Sequence, residues 1–148
     1  MKKQFWLFGS KVSVLQGSED TEGRFDLVEG IFPVGSRSPF HVHTKYSETL
    51  YVLDGEALII TPGGKSILKA GDHLFIPQNT PHAVHNNSEN QELKALAVAS
   101  PSGFGTLIRA VGLDVIEGQV QPSGEHDFQL VQTILHDLGD EILPPPQV

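Results

Sequence analysis

The chain has 148 residues, 39% of them hydrophobic and 19% charged, with 15 Gly and 10 Pro; this composition is globular and rich in turns, and it excludes an ordinary disordered chain. A net charge of −8, from 10 basic and 18 acidic side chains, argues against nucleic-acid binding, which needs Lys and Arg on the phosphates, and against docking on anionic membranes. With no cysteine, a disulfide framework and a thiolate metal site are both excluded.

The first ten residues hold two lysines and only a short apolar stretch at 5–8, too short for a secretory signal. Together with the lack of an apolar run long enough to cross a bilayer, this sets the expectation of a cytoplasmic protein. The length favours one domain, with a barrel over about 1–100 and a helical extension over about 101–143.

Short strands are expected at 5–8 and 11–15, around Gly9-Ser10. A strand at 25–32 carries Phe25, Leu27 and Ile31 on one face, interrupted by Glu29, and runs into a turn at 33–35. The strand at 49–53 stops at Asp54-Gly55, a dipeptide that between two apolar runs signals a hairpin to the next strand at 57–61. A tight turn at Pro62-Gly63-Gly64, strands at 66–68 and 74–76, a loop at 77–81 and strands at 83–85 and 93–99 complete the series. Many short strands punctuated by Gly and Pro predict a sandwich or barrel.

After Ser100 the period changes. Phe104, Leu107, Ile108 and Val111 follow i, i+3, i+4, i+7, and Phe128, Val131, Leu135, Leu138 and Ile142 repeat that spacing, so two helices are expected. Pro144-Pro145-Pro146 forbids further helix. Both apolar stripes are expected to cover an outer face or an edge of the barrel.

The chemistry lies between Gly35 and Asn86. His41 and His43 stand two apart, which on a strand places both side chains on one face about 7 Å apart along the chain. Glu48 follows after a polar turn and His82 arrives from a distant strand after the Pro77-to-Pro81 loop. Three imidazoles and a carboxylate form a borderline-hard donor set that suits Fe, Mn, Ni, Co, Zn or Cu as the divalent ion. Glu48 also serves as a base if it leaves the ion, or pairs with His41 or His43 without one. Arg37, Lys45 and Tyr46 flank the ligand turn as rim residues or as groups that orient a substrate. Tyr51 and Phe75 are read as barrel packing, His85, His126 and His136 as solvent-facing, and His73 as a side chain near the pocket that nothing requires.

Gly35, His41, His43, Glu48 and Gly55 stand at the spacing G-x5-H-x-H-x4-E-x6-G, and Gly71, Pro77, His82 and Asn86 at G-x5-P-x4-H-x3-N. The two patterns resemble the paired motifs of the cupin family. The second departs from the family in one place, where Asn79 stands for a usual glycine; Asn tolerates positive φ better than other non-Gly residues. The resemblance implies an all-β fold, a double-stranded β-helix (jelly-roll) cupin barrel with two C-terminal α-helices, and His41, His43, Glu48 and His82 as ligands of one divalent transition metal. The stretch Ser100-Pro101-Ser102-Gly103-Phe104 and the end Glu141-Ile142-Leu143-Pro144-Pro145-Pro146 resemble the tail of small cupins described as quercetin dioxygenase-like.

The expected function is that of a metal-binding cupin, a metal-dependent dioxygenase acting on a small phenolic or diketone-like molecule. The alternatives are a metal-dependent isomerase or lyase and a non-catalytic small-molecule binding protein, because this fold hosts many activities. The expected partners are a small-molecule ligand and a second copy in a homodimer, the latter because the apolar strand at 5–8 would need covering.

Overall fold

The computed structural model describes residues 2–146. In chain order the strands are β1 (Phe5–Leu7), β2 (Ser10–Gln16), β3 (Asp26–Phe32), β4 (His41–His43), β5 (Ser47–Asp54), β6 (Glu56–Thr61), β7 (Gly64–Lys69), β8 (His73–Ile76), β9 (Ala83–Asn86), β10 (Leu93–Ser100), β11 (Leu113–Asp114) and β12 (Asp140–Ile142). The helices are α1 (Ser18–Thr21), α2 (Phe104–Val111) and α3 (Phe128–Leu138).

A seven-stranded antiparallel sheet runs β11-β1-β2-β3-β10-β5-β8. Facing it are β7-β6-β9 and the pair β4-β12, joined by the bridge between His41 and His82. The tight turn expected at Pro62-Gly63-Gly64 is the β6–β7 hairpin, in which Thr61 pairs with Gly64 and Pro62-Gly63 form the loop. Asp54-Gly55 is not a hairpin. β5 pairs with β10 and β8 while β6 pairs with β7 and β9, so the chain here crosses from one sheet to the other. Gly55 is required at the crossing: its φ is 86°, and a Cβ would meet the Glu92 carbonyl at 2.5 Å.

Alternation on β3 selects the face opposite to the apolar series Phe25, Leu27, Ile31. Asp26, Val28 and Gly30 are buried against the interior while Leu27 and Ile31 are half-exposed on the outer side. Glu29, on that outer side, is paired with Lys2 and lies 3.8 Å from Lys94. Tyr51 and Phe75 also point outward and are 40% and 59% exposed, so they are not barrel packing; Tyr51 stacks on His73, which is therefore remote from the barrel interior. The expected bare edge at 5–8 is covered, because β11 pairs along Phe5 and Trp6.

Two apolar clusters fill the interior. One joins Leu50, Val52, Ile59, Ile76, Val84 and Leu93 between the sheets. The other joins Val12 and Val28 to Leu107, Ile108 and Val111 of α2 and Val131 and Leu135 of α3. Val12 and Val28 face inward, so the helices do not cover an outer face. They close the inner side of the large sheet where the smaller sheet does not reach.

Polar groups fix the helices there. The buried Asp26 on β3 accepts hydrogen bonds from the amides of Gly103 (2.7 Å) and Gly105 (3.0 Å), capping α2 from across the core. Asp127 caps α3 by accepting from the amides of Gln129 and Leu130. The α3 helix stops at Leu138, with Gly139 in the left-handed region at φ 72°. Ile142, expected on this helix, lies instead on β12, which pairs with β4. His126 is not solvent-facing: its Nε2 accepts from the Phe8 amide at 3.1 Å, its Nδ1–H donates to the Val111 carbonyl at 2.9 Å, and its ring lies against Phe8.

Candidate metal centre

The register that buries Val52 and Leu50 also turns Glu48 inward, opposite Ala99 of β10 and Ile76 of β8. From the facing side, β4 sends in His41 and His43, and His82 follows the Pro77-to-Pro81 loop. Asn79 has φ 64°, the conformation the substituted motif position demands, and its amide donates to the His43 carbonyl at 2.8 Å. Thus the loop that precedes His82 is tied to the strand that carries His43.

One ligand atom from each of His41, His43 and His82 lies within 4.8 Å of the others. Ligand atoms 2.0–2.2 Å from one ion stand about 3 Å apart at right angles and about 4 Å apart when opposed, so a small contraction closes the set. The tautomers are fixed by partners that can only accept. The Nδ1–H of His41 donates to the Pro39 carbonyl (2.7 Å), that of His82 to the Thr80 carbonyl (2.9 Å) and that of His43 to Asp140 Oδ1 (2.8 Å). All three Nε2 atoms are left to face the interior. Glu48 Oε2 stands 3.1 Å from His82 Nε2 and 3.8 Å from His43 Nε2, so its partner is His82 first rather than His41.

The electrostatics agree with this packing. Burial, reinforced by His82 and His43, depresses His41 to about 3, which keeps it neutral and able to bind a cation. Burial alone would raise Glu48; the hydrogen bond from His82 and the charges of the histidines outweigh it and hold the carboxyl at about 2. For His82 burial works downward, but the Glu48 carboxylate outweighs it and holds the imidazole above its ordinary value. Without an ion, a proton between His82 and Glu48 stands in for part of the positive charge. A divalent ion would replace it and satisfy the whole donor set.

Two contributors escape a reading of the spacing. Asp140, on β12, is buried 97 residues from His43 in sequence. Tyr46 is buried rather than on the rim: its ring stacks on His43 at 4.3 Å and 24°, and its hydroxyl donates to Asp140 Oδ2 at 2.9 Å. Burial first, and then the carboxylates of Asp140 and Glu48, push that hydroxyl well above the ordinary tyrosine range, so it remains a donor. A tail Gly-Asp after an amphipathic helix, opposite a His-x-His strand, is the one available signal, and it carries weight only once the pairing is known.

Beside the rings of His41 and His43 opens a cavity whose free space, mouth included, is about 610 Å³. Phe8, Val12, Phe32, Phe104, Leu107 and Leu135 form much of its wall, and among the described residues no Lys or Arg lines it. Arg37 and Lys45 therefore contribute no charge to this wall; Arg37 lies beside His85, where it helps depress that imidazole after burial, and Lys45 donates to the Asp137 carbonyl. His136 is exposed, as expected, and His85 half-buried.

A jelly-roll barrel with a ring of inward histidines and one inward carboxylate defines a class of small metal-site β-barrels. Residues 28–99 match the family model described as the cupin domain, and this part of the chain is a cupin domain. The chain is similar to quercetin 2,3-dioxygenase from Bacillus subtilis, with 32% identity over 109 residues, 74% of this chain and 32% of that protein. It is also similar to an uncharacterized protein of Methanocaldococcus jannaschii, with 39% identity over 75 residues, 51% of this chain and 59% of that one. The chain thus spans about a third and about three fifths of these two relatives. Among solved structures, a predicted oxalate decarboxylase from Thermotoga maritima superposes with a TM-score of 0.60 at 25% identity, covering 68% of this chain and 92% of that one. Among the described residues no helix is long and apolar enough to cross a membrane.

Proposed function

We propose that this protein is a metal-dependent enzyme of the dioxygenase type acting on a small, largely apolar phenolic or diketone-like molecule. The observation that carries this reading is the meeting of an apolar cavity, with no Lys or Arg among the described residues of its wall, and a cluster of three converging imidazoles. His41 and His43 line the cavity and the fully buried His82 completes the cluster. His41, His43, Glu48 and His82 would hold the ion, which when bound supplies Lewis-acid and redox chemistry.

The protein's own groups do the rest. The aromatic and aliphatic wall binds the body of the substrate and excludes water. With no Lys or Arg in the wall, a dianion has no partner there, whereas a neutral molecule with one oxygen-bearing chelating end fits. If Glu48 leaves the ion, its carboxylate, which faces the histidine ring nitrogens, would take a proton at Oε2 and return it. The relationship to quercetin 2,3-dioxygenase supports an oxygen-dependent reaction on a phenolic substrate.

The test is oxygen uptake by Fe(II)- or Mn(II)-loaded protein with phenols, flavonols and diketones. Substrate-dependent uptake is expected. No consumption across the panel overturns the reading; turnover without oxygen would replace it with an isomerase or lyase, and tight binding without turnover with a non-catalytic binding protein. We also infer a homodimer, because the outer side of the large sheet exposes Tyr51, Leu53 and Phe75. Light scattering is expected to return twice the chain mass, and a monodisperse monomer overturns this inference.

A further inference from the structure

We propose that Asp140, supplied by the C-terminal strand and clamped by Tyr46, is a positioning residue that sets the orientation and tautomer of His43 as a metal ligand. This inference rests on the metal reading above and adds to it a residue outside the matched cupin segment.

The three histidines are not held alike. His41 and His82 each donate Nδ1–H to a neutral backbone carbonyl two residues earlier in sequence, so their restraint is local and comes with the strand. His43 has no such local acceptor. Its Nδ1–H donates at 2.8 Å to a carboxylate from the far end of the chain, and that bond is charge-assisted. The second oxygen of the same carboxylate accepts the Tyr46 hydroxyl at 2.9 Å, so both oxygens are occupied and Asp140 cannot pivot. Tyr46 closes the loop by stacking on the His43 ring.

The backbone is built for this approach. The α3 helix ends on Gly139, whose carbonyl accepts from the Thr44 amide at 3.0 Å and also from the Thr44 hydroxyl. A Cβ at Gly139 would stand 2.8 Å from Lys45 Cγ, so only glycine lets β12 lie this close to the ligand turn. Gly103, at the start of α2, would likewise press a Cβ to 3.1 Å from the Tyr46 ring. Both helices of the extension therefore brace the His43–Tyr46–Asp140 unit. A carboxylate behind a ligating imidazole holds the ring in place and lowers the net positive charge felt at the ion, an arrangement whose loss commonly reduces metal affinity about 10–100-fold.

The experiment titrates Co(II) into the full-length protein and into Asp140→Ala, Asp140→Asn and Tyr46→Phe variants, following both affinity and the visible ligand-field spectrum, with far-UV circular dichroism as the check on folding. The expected result is a loss of about 10–100-fold for the Ala variant with a changed spectrum. The Asn variant, whose amide oxygen can still accept from Nδ1–H, should recover part of the affinity, and Tyr46→Phe should lose less than Asp140→Ala. A folded Ala variant with wild-type affinity and spectrum would overturn the proposal, as would a folded Asn variant that is no better than Ala. Should the Ala variant not fold, the Asn variant decides: a changed spectrum and weaker binding support the role, and wild-type behaviour removes it. Wild-type protein that takes up no Co(II) would instead overturn the metal reading itself, and this proposal with it.

Discussion

The cupin segment, residues 28–99, and the extension that follows it divide the work at one site in different ways. All four candidate ligands lie in the segment, each on a strand or strand end whose backbone hydrogen bonds are made with that segment or with β10 and β12. Among the described residues, the extension offers no candidate ligand. It supplies Phe104, Leu107 and Leu135 to the cavity wall and Asp140 to the back of His43. The lesson is that a donor set can be written locally while its access, its shape and one of its restraints are written elsewhere in the chain.

Breaking the segment side should have the largest effect. His82→Ala removes a donor and the Glu48 partner together, and we expect Mn(II) affinity by calorimetry to fall more than about 100-fold, beyond what loss of an outer partner causes; retained affinity would show that the donors lie elsewhere. Breaking the hinge between the two regions comes next. Gly139→Ala forces a side chain into φ 72° and against Thr44 and Lys45, and should cost about 2–3 kcal/mol in urea unfolding while also weakening Mn(II) binding.

Asp26→Ala sharpens the comparison from the extension's own side. Two amides at the start of α2 lose a buried acceptor, for an expected cost of about 2 kcal/mol in the same unfolding experiment. If Mn(II) affinity stays near wild type, α2 acts mainly as wall; if it falls in step, the brace on Tyr46 transmits to the ion.

Acidity separates the regions further, because the shifted groups all sit in the segment. His41 binds a proton near 6.5 when unfolded and only near 3 when folded, so its contribution is present above 6.5 and is lost as pH falls through that window. Glu48 acts in the same sense at lower pH, its contribution disappearing between 4.5 and about 2. His82, shifted upward, works oppositely: its contribution is present below 6.5 and is lost as pH rises through its raised value. The metal-free protein should therefore lose melting temperature steadily from pH 6.5 to 4, and metal uptake near neutrality should release a proton, visible as a buffer-dependent heat of binding. The smallest effect is expected at the exposed His136, where Ala should change stability by less than about 0.5 kcal/mol.

The barrel and the convergence of His41, His43 and His82 were legible in sequence because they rest on short-range rules. His-x-His on a strand, glycines at positive φ and a proline-bounded loop fix geometry within a few residues, and even the Asn79 departure found its expected backbone state. What was not legible depends on which strand meets which. Asp54-Gly55 has hairpin chemistry, yet the sheet change there is decided by the pairing of β5 with β10 and β8. The face of β3 that turns inward was hidden because Leu27 and Ile31 are apolar on the outer side, while the inner side carries Asp26 as a helix cap and Gly30. The apolar helix stripes were recognisable, but periodicity cannot say that they fill the open inner side of a sheet. Tyr46 and Asp140 were invisible as a unit, since neither has meaning without a contact spanning 94 residues.

The pairing of β12 with β4 has a reciprocal consequence. If a docked tail makes His43 a better donor, then by the same free energy an ion seated on His43 must fasten the tail. Occupancy of the centre would then be readable far from it, as slower amide exchange along Asp140–Ile142 and slower proteolytic trimming of the carboxyl end.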